Sequence, residues 1–305
     1  LDRLGEERFQ DKVARFQAGL ATEEAGQVLY EGLMEALGYS RNKEAFRELA
    51  QRLPLRVLEG LVQGKGAERG NLILEALLLG TAGLLPSQRD PSGTRAPPQG
   101  GLERIWASLG GGESMTETRW HFSGVRPGNH PTRRLAAACG LILRFLDRGL
   151  VEGILELVRE ARPPSGHRKL EAGLMVAGKG EALLGRGRAA EMALNIVLPF
   201  SFAFGELSGR GEVAERAMAL YRSYPGLGEN ETTRFMAGQL FDGESPQGLS
   251  SARRQQGLIQ LYRRYCQERF CAECPVGVAA TGVAQPSLSP GSASRSQPTT
   301  FPARI

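Results

Sequence analysis

The stretch Asn42-Lys43-Glu44-Ala45-Phe46-Arg47-Glu48-Leu49-Ala50-Gln51-Arg52-Leu53-Pro54 has the clearest periodicity in the chain. Its apolar residues stand at positions i, i+3, i+4 and i+7, namely Phe46, Leu49, Ala50 and Leu53. This spacing puts them on one face of an α-helix. Asn42 is a suitable N-cap, and Pro54 stops the helix. The stretch therefore predicts a short helix with one buried face.

Similar patterns recur on both sides of this stretch. Thr22 is a suitable N-cap for a helix that Gly38 ends, and the apolar run Leu72–Leu79 predicts a buried helix. Further helical patterns cover 55–62, 131–160 with a break near Gly149, 188–204, 213–224, 232–241 and 251–269. No segment alternates every two residues, so a sheet is not supported. The predicted fold class is all-α, an irregular multi-helix bundle or array of short helices.

Composition divides the chain into four parts. Residues 86–101 contain four prolines and three glycines, which is typical of a linker. We therefore predict an N-terminal helical subdomain at 1–85 and a C-terminal helical subdomain at 102–275, which includes a cysteine cluster. Residues 276–305 contain no acidic residue and few large apolar ones, which predicts a disordered C-terminal tail.

The chain is basic, with a formal net charge of +5. Only five of its 38 basic residues are lysine, so arginine carries most of the positive charge. A basic chain can bind phosphate-rich partners. However, an arginine bias with abundant glycine and alanine is also what a GC-rich genome produces.

Hydropathy and cysteine content bear on the compartment. The longest uncharged apolar stretch, 192–205, is shorter than the ~20 residues that a membrane span requires, so no membrane partner is expected. Four cysteines are too few for a disulfide scaffold in a chain of 305 residues, which favours the cytoplasm. The chain starts at Leu1 without an initiator methionine, so its true start is expected to be missing.

Three cysteines near the end have the spacing of metal ligands. Cys266, Cys271 and Cys274 form C-x4-C-x2-C, which suits structural zinc or an iron–sulfur cluster. A fourth ligand could come from Cys139, or from one of the three histidines, His121, His130 and His167. In the alternative interpretation Cys266 is a small buried apolar residue, because it shares a helical face with several large ones: Leu258, Leu261, Tyr262 and Tyr265.

The densest polar segment is 120–134. Pro131 suits the first position of a helix, which places His130 at the N-cap beside Arg126, Arg133 and Arg134. Helix N-termini attract anions, and guanidinium groups bind phosphate or carboxylate through two hydrogen bonds. These four residues are candidate phosphate ligands. The alternative is a solvated helix start with Trp120 and Phe122 in the core.

The last long helical pattern adds a second basic candidate. Arg263 and Arg264 lie opposite its apolar stripe, with Gln256 and Gln260 nearby, which predicts a basic polar face that either binds phosphate or is simply solvated. We find no catalytic motif: no phosphate-binding loop, no nucleophile elbow and no pair of carboxylates in an apolar setting.

Three strings together resemble the bacterial domain-of-unknown-function family 2851. They are Leu29–Lys43, Gly124–Pro131, and Gln255–Cys266 with the two following cysteines, and the resemblance runs from Leu1 to about Gly277. It implies a bacterial cytosolic protein without an established activity. It also implies that this chain corresponds to the later, helical part of longer members, whose upstream part, missing here, carries motifs reminiscent of metal-dependent nucleases. No catalytic residue can be carried onto this chain.

These observations lead to one main functional hypothesis and two alternatives. The main hypothesis is a helical, nucleic-acid-associated accessory region of a metal-dependent nuclease-like protein, in which the arginines contact phosphates and the cysteines hold zinc or an iron–sulfur cluster. The first alternative is a small-molecule enzyme that acts on an anionic substrate at 126–134. The second is a structural, protein-binding helical scaffold.

Overall fold

The computed structural model describes residues 1–89, 101–241 and 249–281. In these ranges the chain is all-α, which confirms the predicted class. They contain no strand, only two isolated antiparallel bridges, at Val176–Leu184 and Pro225–Ser251. In chain order, the helices are α1 (Asp2–Leu20), α2 (Ala25–Leu37), α3 (Lys43–Arg52), α4 (Leu55–Val62), α5 (Ala67–Ala82), α6 (Gly101–Ser108), α7 (Pro131–Phe145), α8 (Leu150–Glu160), α9 (His167–Leu174), α10 (Arg186–Met192), α11 (Leu198–Leu207), α12 (Gly211–Ser223), α13 (Glu231–Leu240), α14 (Ala252–Leu261) and α15 (Pro275–Thr281).

Two short π-helical segments continue the α-helices that precede them. Ala193–Val197 joins α10 to α11, and Tyr262–Cys266 follows α14. The helix Arg186–Leu207 that results is the one helix in the described ranges that is long and apolar enough to cross a membrane. Of its apolar window, 67% is buried inside the protein, as expected for a core helix.

Helices begin where the sequence predicts when a proline or glycine marks the start, but one predicted N-cap residue is different in the structure. Helix α7 begins at Pro131 with His130 as N-cap, and α8 follows the predicted break at Gly149. The prediction of Thr22 as the N-cap of α2 was wrong, because Glu24 occupies that position. The Thr22 hydroxyl instead donates a hydrogen bond to the carbonyl oxygen of Gly19, in the turn that ends α1.

The chain divides into two compact units, Leu1–Gln260 and Leu261–Ile305. Helices from both sides of the predicted linker lie in the first unit. There, the main-chain N–H of Met115 donates to the carbonyl oxygen of Thr81 over 2.7 Å, and the Trp106 ring packs against Gly80. Most of the predicted linker, 90–100, lies outside the described residues.

The predicted tail begins with a helix in place of a disordered segment. Residues 275–281 form α15, which has Pro275 at its first position, where proline is favoured. The remainder of the predicted tail, 282–305, lies outside the described residues.

Aromatic side chains fix α1 in the core of the first unit. Phe9 packs edge-on against Phe202, with 5.6 Å between ring centroids, and its ring also lies 4.5 Å from that of Tyr221. The buried Tyr221 hydroxyl donates to the carbonyl oxygen of Gly5 over 2.6 Å. Helix α1 is thus joined to α11 and α12 by both apolar contact and a buried hydrogen bond.

Helix α14 approaches α1 so closely that its glutamines become part of the interior. Gln256 is 5% exposed, and its side-chain oxygen accepts hydrogen bonds from Arg8 and Lys12, each over 2.8 Å. Gln260, also buried, donates to Asp11. These two glutamines therefore do not belong to an exposed polar face, as the sequence had suggested, because they satisfy charged groups of α1.

Candidate anion-binding site

Two segments of the first unit meet through the side-chain amide of Asn42. Asn42 stands at the N-cap position of α3 but makes no capping hydrogen bond. Its Nδ2 donates to the carbonyl oxygen of His121 over 3.0 Å, and its Oδ1 accepts from the main-chain N–H of His121 over 2.8 Å. Asn42 is 3% exposed, so both hydrogen bonds are shielded from water. The buried amide fixes the 121–123 segment against the turn between α2 and α3.

Arg41 and Tyr39 extend this turn towards solvent. The guanidinium group of Arg41 donates to the carbonyl oxygen of Ser123 over 3.3 Å, and its side chain is exposed. Tyr39 has a φ of 55°, in the left-handed region where helices commonly place glycine after their last turn. The residue is 42% exposed, and the guanidinium carbon of Arg188 lies 4.0 Å from the ring centroid.

The start of α7 holds a guanidinium group inside the protein. Arg134 is 6% exposed, and its two terminal nitrogens donate to the carbonyl oxygen of Leu183 over 2.9 Å and to Asn129 Oδ1 over 2.6 Å. Its Nε atom is buried without a hydrogen-bond partner. Among the described residues, no carboxylate lies within ion-pair distance of it. A buried cation without a paired anion is costly, because burial removes its hydration.

Neighbouring arginines increase this electrostatic cost. Burial, and then the nearby positive charges of Arg188 and Arg133, lower the pKa of Arg134 to about 10, while Glu191 acts in the opposite direction. Arg188 pairs with Glu191 within α10. Arg133 pairs over 3.0 Å with Glu181, a largely exposed carboxylate. The positive charge at the start of α7 therefore exceeds the negative charge next to it.

We call this region the arginine junction. Its residues are Tyr39, Arg41, Arg126, Arg133, Arg134 and Arg188. Arg126 joins it through the main chain, because its carbonyl oxygen accepts from the N–H of Asn129, whose side chain binds Arg134. The Arg126 guanidinium group is exposed and makes no hydrogen bond or ion pair with the described residues.

His130 lies beside the junction in a partly apolar setting. Its Nδ1 is 2.8 Å from the hydroxyl of Thr132, and its ring centroid is 5.5 Å from that of Phe122. Burial, and secondarily the charge of Arg89, lower the pKa of His130. His130 is therefore mostly neutral at neutral pH, and a neutral imidazole adds no positive charge for an anion.

The structure brings together some of the predicted phosphate ligands and separates the others by unit. His130 is the N-cap of α7 and Arg133 and Arg134 lie in its first turn, as predicted, whereas Arg126 precedes the helix by five residues. Arg134 is buried and tied to main-chain and amide oxygens. Arg263 and Arg264 belong to the second unit, where both side chains are exposed. The sequence did not identify Arg188, because its own segment shows no motif. Tyr39 and Arg41 lie within a string that resembles the family, but neither residue has a sequence pattern that indicates a role.

The predicted metal ligands are free cysteines with different exposure. Cys266 and Cys271 are exposed, and Cys274 is buried. Partial burial, and then the nearby thiols of Cys274 and Cys271, raise the pKa of Cys266, so the three thiols are close enough to interact electrostatically. Within the described ranges, no group of three or more His, Cys, Asp or Glu side chains is arranged to hold a metal ion. Metal binding by these cysteines stays a prediction.

Cys139, the predicted fourth ligand, is fully buried on α7 in the first unit. Burial, and then the neighbouring carboxyl of Glu75, raise its pKa. A metal ligand must be a thiolate, which this environment disfavours. The surroundings of Cys139 therefore give the predicted ligand role no support.

The model of the family described as "Protein of unknown function (DUF2851)" matches residues 1–161, more than half of the chain. The chain belongs to this family. Because the DUF2851 match begins at residue 1, it does not support the expectation that the chain corresponds only to a later part of the family. No curated protein and no solved structure matches the chain.

The DUF2851 match covers most of the arginine junction. Tyr39, Arg41 and the arginines at the start of α7 lie inside it, whereas Arg188 lies beyond it. The first two strings that carry the family resemblance are therefore inside the match, and Asn42 and His121 bring their neighbourhoods together. The third string, which leads into the cysteine cluster, lies outside the match.

Proposed function

We propose that this protein binds nucleic acid and that the arginine junction contacts the phosphate backbone. The observation that supports this most directly is the charge imbalance in one place: Arg41, Arg126 and Arg134 make no ion pair with the described residues. Arg41 and Arg126 are exposed, so their guanidinium groups can reach a ligand in solvent. Phosphate groups along a strand would supply the negative charge that the junction needs.

The three arginines have different roles in this proposal. Arg41 and Arg126 make the direct phosphate contacts, because solvent reaches both of them. Arg134 is tied to Leu183 and Asn129 and acts as a fixed positive charge behind the surface. Since it cannot move towards solvent without losing both hydrogen bonds, it strengthens the local field instead of gripping the ligand.

The test is a titration of the full chain into fluorescently labelled DNA and RNA at several salt concentrations. Two neutralised phosphates on a single strand predict a log–log slope of affinity against salt of about −1.4. Replacing both contacting arginines, in the double variant Arg41→Ala/Arg126→Ala, should remove most of that slope. Absent binding, or affinity that does not change with salt, would contradict the proposal.

A matched control separates the junction from general charge. The double variant Arg56→Ala/Arg69→Ala removes the same number of charges from exposed positions on α4 and α5. We expect it to retain the wild-type slope and nearly all of the affinity. If both double variants lose affinity equally, net charge alone drives the binding and the junction is not a site.

A second candidate function is the recognition of a small anionic substrate, favoured by the buried Nε atoms of Arg133 and Arg134, which lack partners. A ligand that binds only the folded state raises the melting temperature. Phosphate, pyrophosphate and citrate would be compared with chloride at equal ionic strength. Stabilisation by one of these anions without binding to nucleic acid would favour this candidate. If neither assay responds, the helical scaffold becomes the best remaining hypothesis.

A further inference from the structure

We propose that the nucleic acid held at the arginine junction is single-stranded and that one of its bases stacks on the ring of Tyr39. This inference rests on the proposed function and specifies its ligand. It comes from the exposed aromatic ring among arginines, whereas the proposed function comes from the charge imbalance. The stacking inference can therefore fail while the proposed phosphate contacts stand.

The position of Tyr39 is unusual for a tyrosine. The turn after α2 requires a left-handed residue at 39, where φ is 55°, and an aromatic side chain is strained in that conformation. Glycine would satisfy the backbone without strain. The tyrosine at this position is 42% exposed, and its hydroxyl makes no hydrogen bond with the described residues. Strained, exposed residues of this kind are concentrated at functional sites.

The surroundings of the ring match those of a base-stacking position. The guanidinium group of Arg188 lies 4.0 Å from the ring centroid, and Arg41 follows two residues later in the chain. Proteins that bind single strands combine positive groups along the backbone with aromatic rings that stack on unpaired bases. In a duplex, the faces of the bases are already stacked on each other, so an exposed ring gains little from it.

A second aromatic ring near the junction does not have the same properties. Phe122 is half-buried, and its ring already contacts the guanidinium group of Arg89 at 4.9 Å and the ring of His130 at 5.5 Å. Tyr39 has a guanidinium contact of its own, to Arg188, so the difference between the two residues lies in their burial. Tyr39 is the more exposed of the two and so offers more surface to a base.

The experiment compares a single-stranded oligonucleotide with its own duplex, using the full chain and Tyr39→Gly. Glycine suits the backbone at this position, so the variant keeps the turn while it removes the ring. We expect wild type to bind the single strand more tightly than the duplex. Tyr39→Gly should weaken single-strand binding roughly five-fold or more and leave duplex binding unchanged, as expected for loss of one stacked base.

Three controls keep the result interpretable. Tyr39→Phe retains the ring and should bind like wild type. Phe235→Leu removes another exposed ring, on α13, and should have no effect. Tyr39→Trp gives a local fluorophore, and fluorescence quenching by the single strand that the duplex does not cause would support direct stacking.

The outcomes distinguish this inference from the proposed function. Salt-dependent binding that is equal for single strand and duplex, or that Tyr39→Gly leaves unchanged, overturns the stacking proposal and leaves the phosphate contacts intact. Absence of binding to every nucleic acid overturns both. Tight single-strand binding that depends on Tyr39 but not on Arg41 and Arg126 supports stacking and contradicts the assignment of the phosphate contacts.

Discussion

The side-chain amide of Asn42 pairs with both main-chain hydrogen-bonding groups of His121, at 3.0 and 2.8 Å. The pairing resembles a step of β-ladder made by one side chain, and it is buried. It joins two segments 79 residues apart in sequence and holds Arg41 near the segment that leads to Arg126. The position of Arg41 relative to the 121–123 segment therefore depends on this residue.

We expect Asn42→Ala to destabilise the protein by about 1–3 kcal/mol, because it leaves two buried main-chain groups without partners. Denaturation in urea measures this loss, with Ser40→Ala, an exposed position in the same turn, as the control. The variant should also weaken nucleic-acid binding, because the 121–123 segment is no longer fixed. An Asn42→Ala protein with wild-type stability would contradict the structural role.

The close approach of α1 and α14 gives a second prediction. A Cβ atom added to Gly5 would lie 2.2 Å from the carbonyl oxygen of Arg253, a contact that the rigid backbone cannot relieve. We expect Gly5→Ala to cost at least about 2 kcal/mol of stability through overpacking.

Gly60→Ala is the matched control, since a Cβ there meets nothing within 4 Å. It should stabilise α4 by up to about 1 kcal/mol. Equal effects of the two substitutions would show that the helices do not cross here.

Local patterns in the sequence were sufficient to predict most of the helices. The stripe of Phe46, Leu49 and Ala50 is buried in α3, and α4 has the predicted limits of Leu55 and Val62. Such patterns work because helix formation and the choice of its buried face depend on residues within a few turns. Cap positions were less reliable, since Thr22 and Asn42 each bind elsewhere.

The candidate site depended on contacts that no local pattern reveals. Arg188 meets Tyr39, and Asn42 meets His121, only because the tertiary fold brings distant segments together. The sequence did predict that Arg133 and Arg134 share the start of α7, because Pro131 and His130 are local signals. It could not predict that Arg134 is buried, because that depends on the loop with Leu183, which has little pattern of its own.

The half-buried carboxyl of Glu75 on α5 gives a prediction about pH. Burial raises the pKa of Glu75 in the folded protein, because the neutral carboxyl suits the half-buried position better than the charged one. The contribution of Glu75 to folding stability is therefore fully present below the ordinary glutamate pKa of about 4.3. That contribution is lost as the pH rises through the raised, folded-state value. We therefore expect Glu75→Gln to increase stability relative to wild type at neutral pH and to change it little near pH 4.

Urea denaturation of wild type and Glu75→Gln across this pH range measures the difference in their free energies of unfolding. Because other groups titrate equally in both proteins, their effects cancel in this difference. Glu215→Gln, at an exposed position of α12, is the control and should show no rise of this kind. A stability difference between Glu75→Gln and wild type that stays constant from acid to neutral pH would mean that Glu75 is better solvated than its position on α5 indicates.

The cysteines of the second unit give the last prediction, the binding of zinc or an iron–sulfur cluster by Cys266, Cys271 and Cys274. Burial and the nearby thiols raise the pKa of Cys266, and a bound metal ion would favour the thiolate form that coordination requires. Elemental analysis of the chain purified without oxygen should find roughly one zinc or one cluster per chain. The double variant Cys271→Ser/Cys274→Ser should abolish the bound metal.

The variant Cys139→Ala tests the fourth ligand. Unchanged metal content would assign the fourth position to another group, because the thiol of Cys139 is held neutral in the core. Absence of both zinc and iron from the wild-type protein would remove the metal site and leave Cys266 and Cys271 as exposed free thiols.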